Sequence, residues 1–248
     1  MSAAGASVDL MCGRYATTRS AGELSAIFDA LDETGERVPV DYNVAPTNPV
    51  PIVRVDPEPG RRVLSLARWG FLPPWAEDPR IGSRMINARA ETVATSRVFA
   101  PAFARRRCLV PADGWYEWVR SPGAGRGRSQ AYFMTPRSGE VLAFAGLWSL
   151  WRDGARSLVT CTVVTTAARG ALAEIHDRMP LVLPPHRWEG WLADRAEATE
   201  IVATVDEPFL AGLEIRPVGP AVGDVRNNGP DLITRVAPQD GPEQTTLF

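Results

Sequence analysis

Cys12 has the most distinctive possible reactivity of any residue in this chain, because it directly follows a second methionine. If translation starts at Met11 and that methionine is then removed, Cys12 becomes the N-terminal residue. This one residue would then carry two nucleophiles, a free α-amine and a thiol. All 27 basic residues of the chain are arginine, and arginine stays protonated. Any amine nucleophile of this protein must therefore be the α-amine.

Three further polar residues lie in apolar or tightly turned surroundings where acid–base chemistry can occur. Glu117 stands between two aromatic residues, where a desolvated carboxylate would have a raised pKa suited to proton transfer near neutral pH. His176 begins the segment "HDRMP", and Asn87 lies in "MINARAET". Each also has a plain structural interpretation: an outward-facing carboxylate on a strand, a capping histidine and a turn residue. The chemistry depends on their acting together.

The composition argues against several other kinds of site. The chain has 248 residues, of which 45% are hydrophobic, and a net charge of −2, which fits a globular domain of ordinary composition. Three cysteines without CxxC spacing and only two histidines predict neither a disulfide framework nor a metal centre, and no cofactor. We interpret Cys108 and Cys161 as buried structural thiols. No apolar run reaches the ~18 residues of a membrane span. We therefore expect a soluble, cytoplasmic protein that does not enter a membrane.

Charge and aromatic residues concentrate in one part of the chain. Between Arg54 and Arg107 there are 11 arginines against five acidic residues. Five aromatic residues are interleaved with them: Trp69, Phe71, Trp75, Phe99 and Phe103. Guanidinium groups on phosphates and bases stacked on rings hold single-stranded nucleic acid without reading its sequence. The same pattern would also arise from a solvated face beside core aromatics.

The segments that carry these residues are mostly predicted strands. Apolar or alternating runs predict strands over "RRVLSLARW", "CLVPADGWYEWV", "AYFMTP", "VLAFAGLWSLW" and "SLVTCTVVTTAA". Helices are predicted in "AGELSAIFDAL", with Ser20 as its N-cap, in "PHRWEGWLAD", and in "SRVFAPAFARRR", interrupted by Pro101. "SPGAGRGRSQ" is predicted to be a hairpin loop. Without regular βαβ alternation, the predicted fold class is α+β with a largely antiparallel sheet.

Taken together, the motifs resemble the SRAP (SOS-response-associated peptidase) family, whose members form covalent adducts with abasic sites in single-stranded DNA. The matches run in order from Cys12 to about Leu232: "MCGRYA", "YNVAPT", "RWGFLPPW", "NARAET", "RRRCLVPADGWYEW", "FAGLW", "TTAA", "IHDRMP" and "VRNNGPDLI". The resemblance implies one compact α+β domain over residues 11–235, with a barrel-like sheet flanked by short helices. It also implies a positively charged channel for single-stranded DNA.

The resemblance further implies a role for each candidate residue. Cys12 would be the nucleophile at the N-terminus, with Asn87, Glu117 and His176 as its partners. We expect Glu117 to shuttle protons, His176 to donate a proton to the sugar oxygen during ring opening, and Asn87 to hold the thiol or the sugar. Thr165 would help line the pocket. Contacts with the DNA backbone or flanking bases are implied for Arg14, Trp69, Arg89 and Arg97.

The chemistry explains why an N-terminal cysteine is required. An abasic deoxyribose opens to an aldehyde, which an amine attacks to give an imine. A thiol two carbons away then closes a five-membered thiazolidine ring. Since both nucleophiles belong to one residue, ring closure is intramolecular and entropically favoured.

The ten residues before Met11 depart from the family pattern, because an internal Cys12 has no free α-amine. Three explanations are open: Met11 is the true start, residues 1–10 are a leader that is cleaved, or the full form does not cross-link. We favour the first.

Two other functions are open. A cysteine-type peptidase would use Cys12 with His176 as base and would not need the amine, whereas a noncatalytic single-strand binder would not need Cys12.

Residues 236–248 form a polar tail that ends in a candidate partner motif. The segment "QTTLF" resembles the bacterial sliding-clamp-binding pentapeptide, with Gln244, Leu247 and Phe248 as its contact residues. A tether with two apolar anchors can fill a preformed groove. We expect a monomer that associates with the nucleoid through DNA and with the sliding clamp through this tail.

Overall fold

The computed structural model of the protein describes residues 13–56, 60–120, 129–193 and 195–238. Cys12, residues 1–10, the segment 121–128 predicted as a hairpin loop, and Gln244, Leu247 and Phe248 of the tail lie outside the described residues. The strands within them are β1 (Tyr15–Thr17), β2 (Leu31–Asp32), β3 (Asp41–Val44), β4 (Pro49–Val55), β5 (Arg62–Trp69), β6 (Asn87–Arg89), β7 (Arg107–Ala112), β8 (Gly114–Arg120), β9 (Ser129–Pro136), β10 (Leu142–Asp153), β11 (Arg156–Ala167), β12 (Arg178–Pro180) and β13 (Leu213–Val218). The α-helices are α1 (Ala21–Phe28), α2 (Ala90–Val93), α3 (Ala100–Arg105), α4 (Trp188–Ala193), α5 (Arg195–Ala203) and α6 (Glu207–Ala211). Short 3-10 turns lie at Pro79–Arg84, Gly170–Glu174, Pro185–Arg187, Pro220–Gly223 and Pro230–Ile233.

Five strands close a barrel in the order β4, β7, β10, β11 and β5. Neighbours pair antiparallel except at the closure, where β11 and β5 run parallel and Cys161 lies opposite Trp69. Closure removes the free edges that an open sheet would expose. The expected α+β class, with one compact domain and a largely antiparallel, barrel-like sheet, is confirmed.

The barrel strands are apolar on both faces because both faces are covered. One face carries Ile52, Cys108, Phe144 and Val163 into an interior cluster, and the other packs under α1, α3, α4 and α5. Gly146 makes the interior packing possible. A Cβ at this position would lie 2.9 Å from Cys108 Sγ and 2.9 Å from Val110 Cγ2, closer than carbon atoms pack.

A second sheet, in the order β13, β9, β8, β1 and β3, packs over the barrel. Tyr15, Trp115 and Met134 project from it into the interior cluster. The ring of Tyr15 makes edge contacts with Trp69, at 5.2 Å between centroids, and with Phe144, at 6.0 Å. These contacts join the second sheet to the barrel in one hydrophobic core.

Most of the predicted elements are observed, with one correction among the helices. Ser20 caps α1, as the sequence predicted, and the structure adds a reciprocal capping box with Glu23. Pro101, by contrast, does not interrupt a helix but lies in the first turn of α3. The missing N–H of proline is not needed there, and its fixed φ suits a helix start. No helix among the described residues is long and apolar enough to cross a membrane.

Candidate functional site

The end of β11 brings together three of the predicted residues. The short strand β6 runs parallel to it, so that Asn87 lies opposite Val163 and Arg89 opposite Thr165. Ala88 faces the helix-covered side of the barrel. Because side chains alternate along a strand, Asn87 and Arg89 point the other way, to the side on which Val163 joins the interior cluster.

Glu117 approaches the same interior cluster from the second sheet. Its neighbour Tyr116 packs on the outer face, whereas Trp115 packs in the interior cluster. Alternation along β8 therefore directs Glu117 inward, opposite Tyr132 of β9. Glu117 is 4% exposed, so its expected burial is confirmed, and its role in proton transfer stays a prediction.

Gly13, the residue directly after Cys12, lies beside Glu117. Tyr15 pairs with Trp115 and Ala16 with Gly114, and the backbone N–H of Tyr116 donates to the Arg14 carbonyl at 3.0 Å. Continuing this antiparallel register by one position sets Gly13 opposite Glu117. Gly13 is itself buried.

His176 follows the 3-10 turn Gly170–Glu174 and has a defined hydrogen-bonding state. Its Nδ1 accepts a hydrogen bond from the backbone N–H of Arg178 at 3.0 Å and lies 2.9 Å from Asp177 Oδ1. These two contacts require opposite protonation states of Nδ1. Because the backbone N–H of Arg178 is a fixed donor, Nδ1 serves as its acceptor and Nε2 is the ring nitrogen that carries a proton in this arrangement. The ring can thus donate through Nε2.

Arg178 and Glu91 connect the parts of this site, and the sequence interpretation did not single them out. The Arg178 guanidinium donates to both carboxylate oxygens of Glu91 at 3.0 Å, and to the backbone oxygen of Thr165 at 2.7 Å. Its hydrogen bonds lower the pKa of Glu91. Glu91 lies inside the motif "NARAET" and Arg178 inside "IHDRMP", and these motifs could have identified both residues as part of the site. The bidentate pair ties the turn of His176 to the segment that carries Asn87.

Arg14 is engaged in holding another part of the fold. Its guanidinium donates to Asn43 Oδ1 and to the Val222 carbonyl, the latter at 3.1 Å. Asn43 Nδ2 in turn donates to the carbonyls of Asp224 and Asn227, each at 2.9 Å. Burial lowers the pKa of Arg14. Arg14 therefore fastens the segment 222–227 to β1, and its contact with DNA stays a prediction.

The candidate DNA-contact residues differ sharply in exposure. Arg89 and Arg97 are exposed, and neither forms an ion pair with another described residue. Trp69 requires a correction: its ring is 1% exposed and its Nε1 donates to the Ile86 carbonyl at 3.0 Å, so it has no surface to offer DNA. Trp75, by contrast, is 65% exposed. It borders a groove of about 490 Å³ that includes Arg105.

The described thiols are structural, as predicted. Cys108 and Cys161 are fully buried, and burial raises the pKa of both thiols. A buried neutral thiol is inert as a nucleophile. Over the four described ranges, no group of three or more His, Cys, Asp or Glu side chains is arranged to hold a metal ion.

Comparison with known proteins gives concordant matches along the chain. A family model described as SOS response associated peptidase (SRAP) matches residues 11–225. Abasic site processing protein YoqW of Bacillus subtilis is 34% identical over 227 residues, which cover 90% of this chain and 99% of that protein. YedK of Escherichia coli, of the same description, is 34% identical over 241 residues and covers 91% and 100%. HMCES of Xenopus tropicalis, also so described, is 26% identical over 268 residues and covers 91% and 78%.

Solved structures share the same architecture. A Bacteroides thetaiotaomicron protein aligns with a TM-score of 0.78 at 19% identity, covering 91% of this chain and 100% of that one. At this identity the match shows the fold alone. A phage-related protein from Bordetella bronchiseptica aligns with a TM-score of 0.64 at 29% identity, covering 84% and 94%. The family-model match includes Asn87, Glu117, Thr165 and His176.

Proposed function

Since the chain belongs to the SOS response associated peptidase (SRAP) family, we propose that it processes abasic sites in DNA by capturing them covalently through Cys12. The relatives named above as abasic site processing proteins support the substrate. The observation that supports the mechanism is that strand alternation turns Glu117, Asn87 and Thr165 toward the side of the barrel with the interior cluster, while the continued strand register sets Gly13 opposite Glu117. The nucleophile would be attached directly to that position.

The reaction is a condensation in which one water is lost. The α-amine of Cys12 adds to the aldehyde carbon of the opened sugar, and the adduct expels water to form an imine. The thiol sulfur then adds to the imine carbon, and the thiol proton passes to the nitrogen, closing the thiazolidine. This series of reaction steps requires that residues 1–11 be absent, because an internal Cys12 has an amide nitrogen and no amine.

The proton transfers define the roles of the surrounding residues. Glu117 is the base that takes protons from the amine and the thiol and returns one to the departing hydroxyl. His176, with its proton on Nε2, donates to the sugar oxygen as the ring opens. Asn87 and Thr165 are neutral hydrogen-bonding groups that orient the sugar without competing for protons. The position of Glu117 supports this assignment, because the buried carboxylate faces the interior side toward which Asn87 also points.

Single-stranded DNA would lie across the exposed cationic side of the site. Arg89 lies on the strand next to Thr165, and Arg97 is exposed a short distance further along the chain. Both would contact phosphates. The exposed ring of Trp75 could stack on an unpaired base, and Arg14 would contribute through the part of its guanidinium that stays accessible.

The decisive experiment compares three forms of the protein with single-stranded DNA carrying one abasic site. A chain that begins at Cys12 should give a product that survives denaturing electrophoresis without reductant, with the mass of both components minus one water. A Cys12→Ser variant keeps the amine but has no thiol, so its product should survive only after reduction of the imine. Full capture by a chain that retains residues 1–11 would contradict the proposal and favour a peptidase-like thiol chemistry.

The segment Gln244 to Phe248 lies outside the described residues, and we propose it as a sliding-clamp ligand. Leu247 and Phe248 would be the apolar anchors and Gln244 the polar contact. Deleting these five residues should abolish binding to purified clamp while abasic-site capture continues unchanged. Unaltered affinity for the clamp would end this proposal.

A further inference from the structure

A second cavity has a mixed apolar and cationic lining, and part of its wall is the 3-10 turn Gly170–Glu174 that precedes His176. It measures about 500 Å³, a size typical of ligand sites. Its apolar wall includes Leu172, Leu210 and Leu213. Arg137 and Arg169 stand at its border. The proposed chemistry of Cys12 uses none of these side chains.

Three arginines (Arg137, Arg169 and Arg235) and two acids (Glu207 and Glu214) line this cavity, which leaves an excess of one positive charge. Glu214 in its wall is neutralised by Arg216 and Arg235, whose hydrogen bonds lower the pKa of that carboxyl to about 2. Arg137 and Arg169 are both exposed, and neither side chain forms an ion pair within the part of the chain that the structure describes. The cavity therefore suits an apolar group that is carried on an acidic segment.

The chain itself leaves the described fold along the wall of this cavity. Arg235 lines the cavity and forms an antiparallel bridge with Val218, and the Val236 N–H donates to the Pro217 carbonyl at 3.0 Å. At this bridge the chain direction is antiparallel to that of β13 and points toward Ile215. β13 is the last strand of its sheet, so among the described residues its outer edge is free beyond this bridge.

We propose that residues 239–248 fold back along the free edge of β13 and seat Leu247 and Phe248 in this cavity. Asp240 and Glu243 give the segment the charge that complements Arg137 and Arg169, and its two large apolar residues match the leucine wall. Gly241-Pro242 supplies a turn, and at ~3.3 Å per residue the segment is long enough to return. Arg235 lines the cavity and shortly precedes the tail in the same chain. Docking of the tail is therefore intramolecular and needs only modest intrinsic affinity.

This docking would make the tail unavailable to other partners while it is seated. The pentapeptide Gln244 to Phe248 would be released only when a partner binds it more strongly than the cavity does. The inference does not depend on abasic-site chemistry, so its test contains no DNA and either proposal can fail alone.

Photo-cross-linking in the full chain tests this proposal. With Phe248 replaced by p-benzoylphenylalanine, irradiation should give intramolecular cross-links that mass spectrometry maps to Leu172, Leu210 or Leu213. Arg137→Glu combined with Arg169→Glu should lower their yield about fivefold or more, since two attractive contacts become repulsive. Leu247→Ala should lower the yield without altering the cavity.

The control variant makes the same charge change elsewhere. Arg152→Glu combined with Arg156→Glu alters two exposed arginines of the β10–β11 hairpin and should leave the cross-links unchanged. Circular dichroism checks that each variant folds. Cross-links to other surfaces, equal yields in both double variants, or dimeric products that increase with protein concentration would each overturn the proposal.

Discussion

Glu117 is the residue on which the proposed proton transfers depend. It is 4% exposed and faces the interior side shared with Asn87. Glu117→Gln keeps the side-chain volume but removes the base. Covalent capture of abasic DNA should slow about 10²-fold, the usual contribution of a positioned acid–base group. The measurement is the single-turnover rate on a denaturing gel.

Noncovalent binding is the control for that variant. Affinity for DNA without an abasic site should match that of the parent chain, because Glu117 does not face the proposed DNA path. A capture rate equal to that of the parent would show that another group takes the protons.

His176 can be altered without losing its structural contact. In His176→Asn, the side-chain oxygen can still accept the backbone N–H of Arg178, as in an Asx turn, while the donor at Nε2 is lost. We expect an unchanged melting temperature and slower opening of the closed sugar. A pre-opened aldehyde substrate should restore the rate, and its failure to do so would remove His176 from the ring-opening step.

At the scale of the elements, Arg178 joins β12 to α2 and to the end of β11. Arg178→Lys removes the bidentate contact with Glu91, because an ammonium group cannot match both carboxylate oxygens. Because the Glu91 side chain is half exposed, we expect a loss of about 1 kcal/mol of stability and slower capture, measured by denaturant unfolding and by gel. Arg226→Lys, in an exposed pair with Asp224, should be nearly neutral and serves as the control.

The pH dependence of this contact follows from the lowered pKa of Glu91. A carboxylate whose folded pKa is depressed contributes stability above its unfolded pKa and loses it as the pH falls through the folded pKa. The stability difference between the parent and Arg178→Lys should therefore shrink in acid. A difference that grows in acid would contradict the assigned pair.

The barrel strands pack closely enough that one methyl group matters. Gly146→Ala would bring a Cβ to 2.9 Å from Cys108 Sγ and 3.2 Å from the Thr162 carbonyl. We expect about 1–3 kcal/mol of destabilisation, measured by urea unfolding. Gly219→Ala, where nothing lies within 4 Å of the added atom, is the matched control. Equal stabilities would mean that the interior can relax around the added methyl.

At the scale of the whole molecule, DNA binding must depend on local rather than net charge, since the net charge is −2. Affinity for single-stranded DNA should fall with salt, and Arg89→Ala should reduce the slope of log K against log salt by about 0.7. Arg156→Ala, on the far hairpin of the barrel, should leave the slope unchanged. Fluorescence anisotropy across a salt series measures both. An identical slope for Arg89→Ala and the parent would exclude a phosphate contact at this residue.

The sequence by itself determined the fold class, most strands and the capped start of α1. These features depend on alternation and on contacts within a few residues, such as the pair Ser20 and Glu23. It also indicated that Cys108 and Cys161 are buried, because their neighbours are apolar. The resemblance to a family supplied the candidate site, since Glu117, Asn87 and His176 carry weak signals when taken singly.

Only the tertiary structure decided which distant residues meet and which aromatic rings stay exposed. Trp69 and Trp75 lie in one short motif, yet closure of the barrel through β11 and β5 encloses the first, while the second stays exposed. Arg178 and Glu91 are 87 positions apart, so no local pattern pairs them. The physical reason is the same in each case: strand pairing across the barrel depends on the burial of the whole core, which local periodicity does not record.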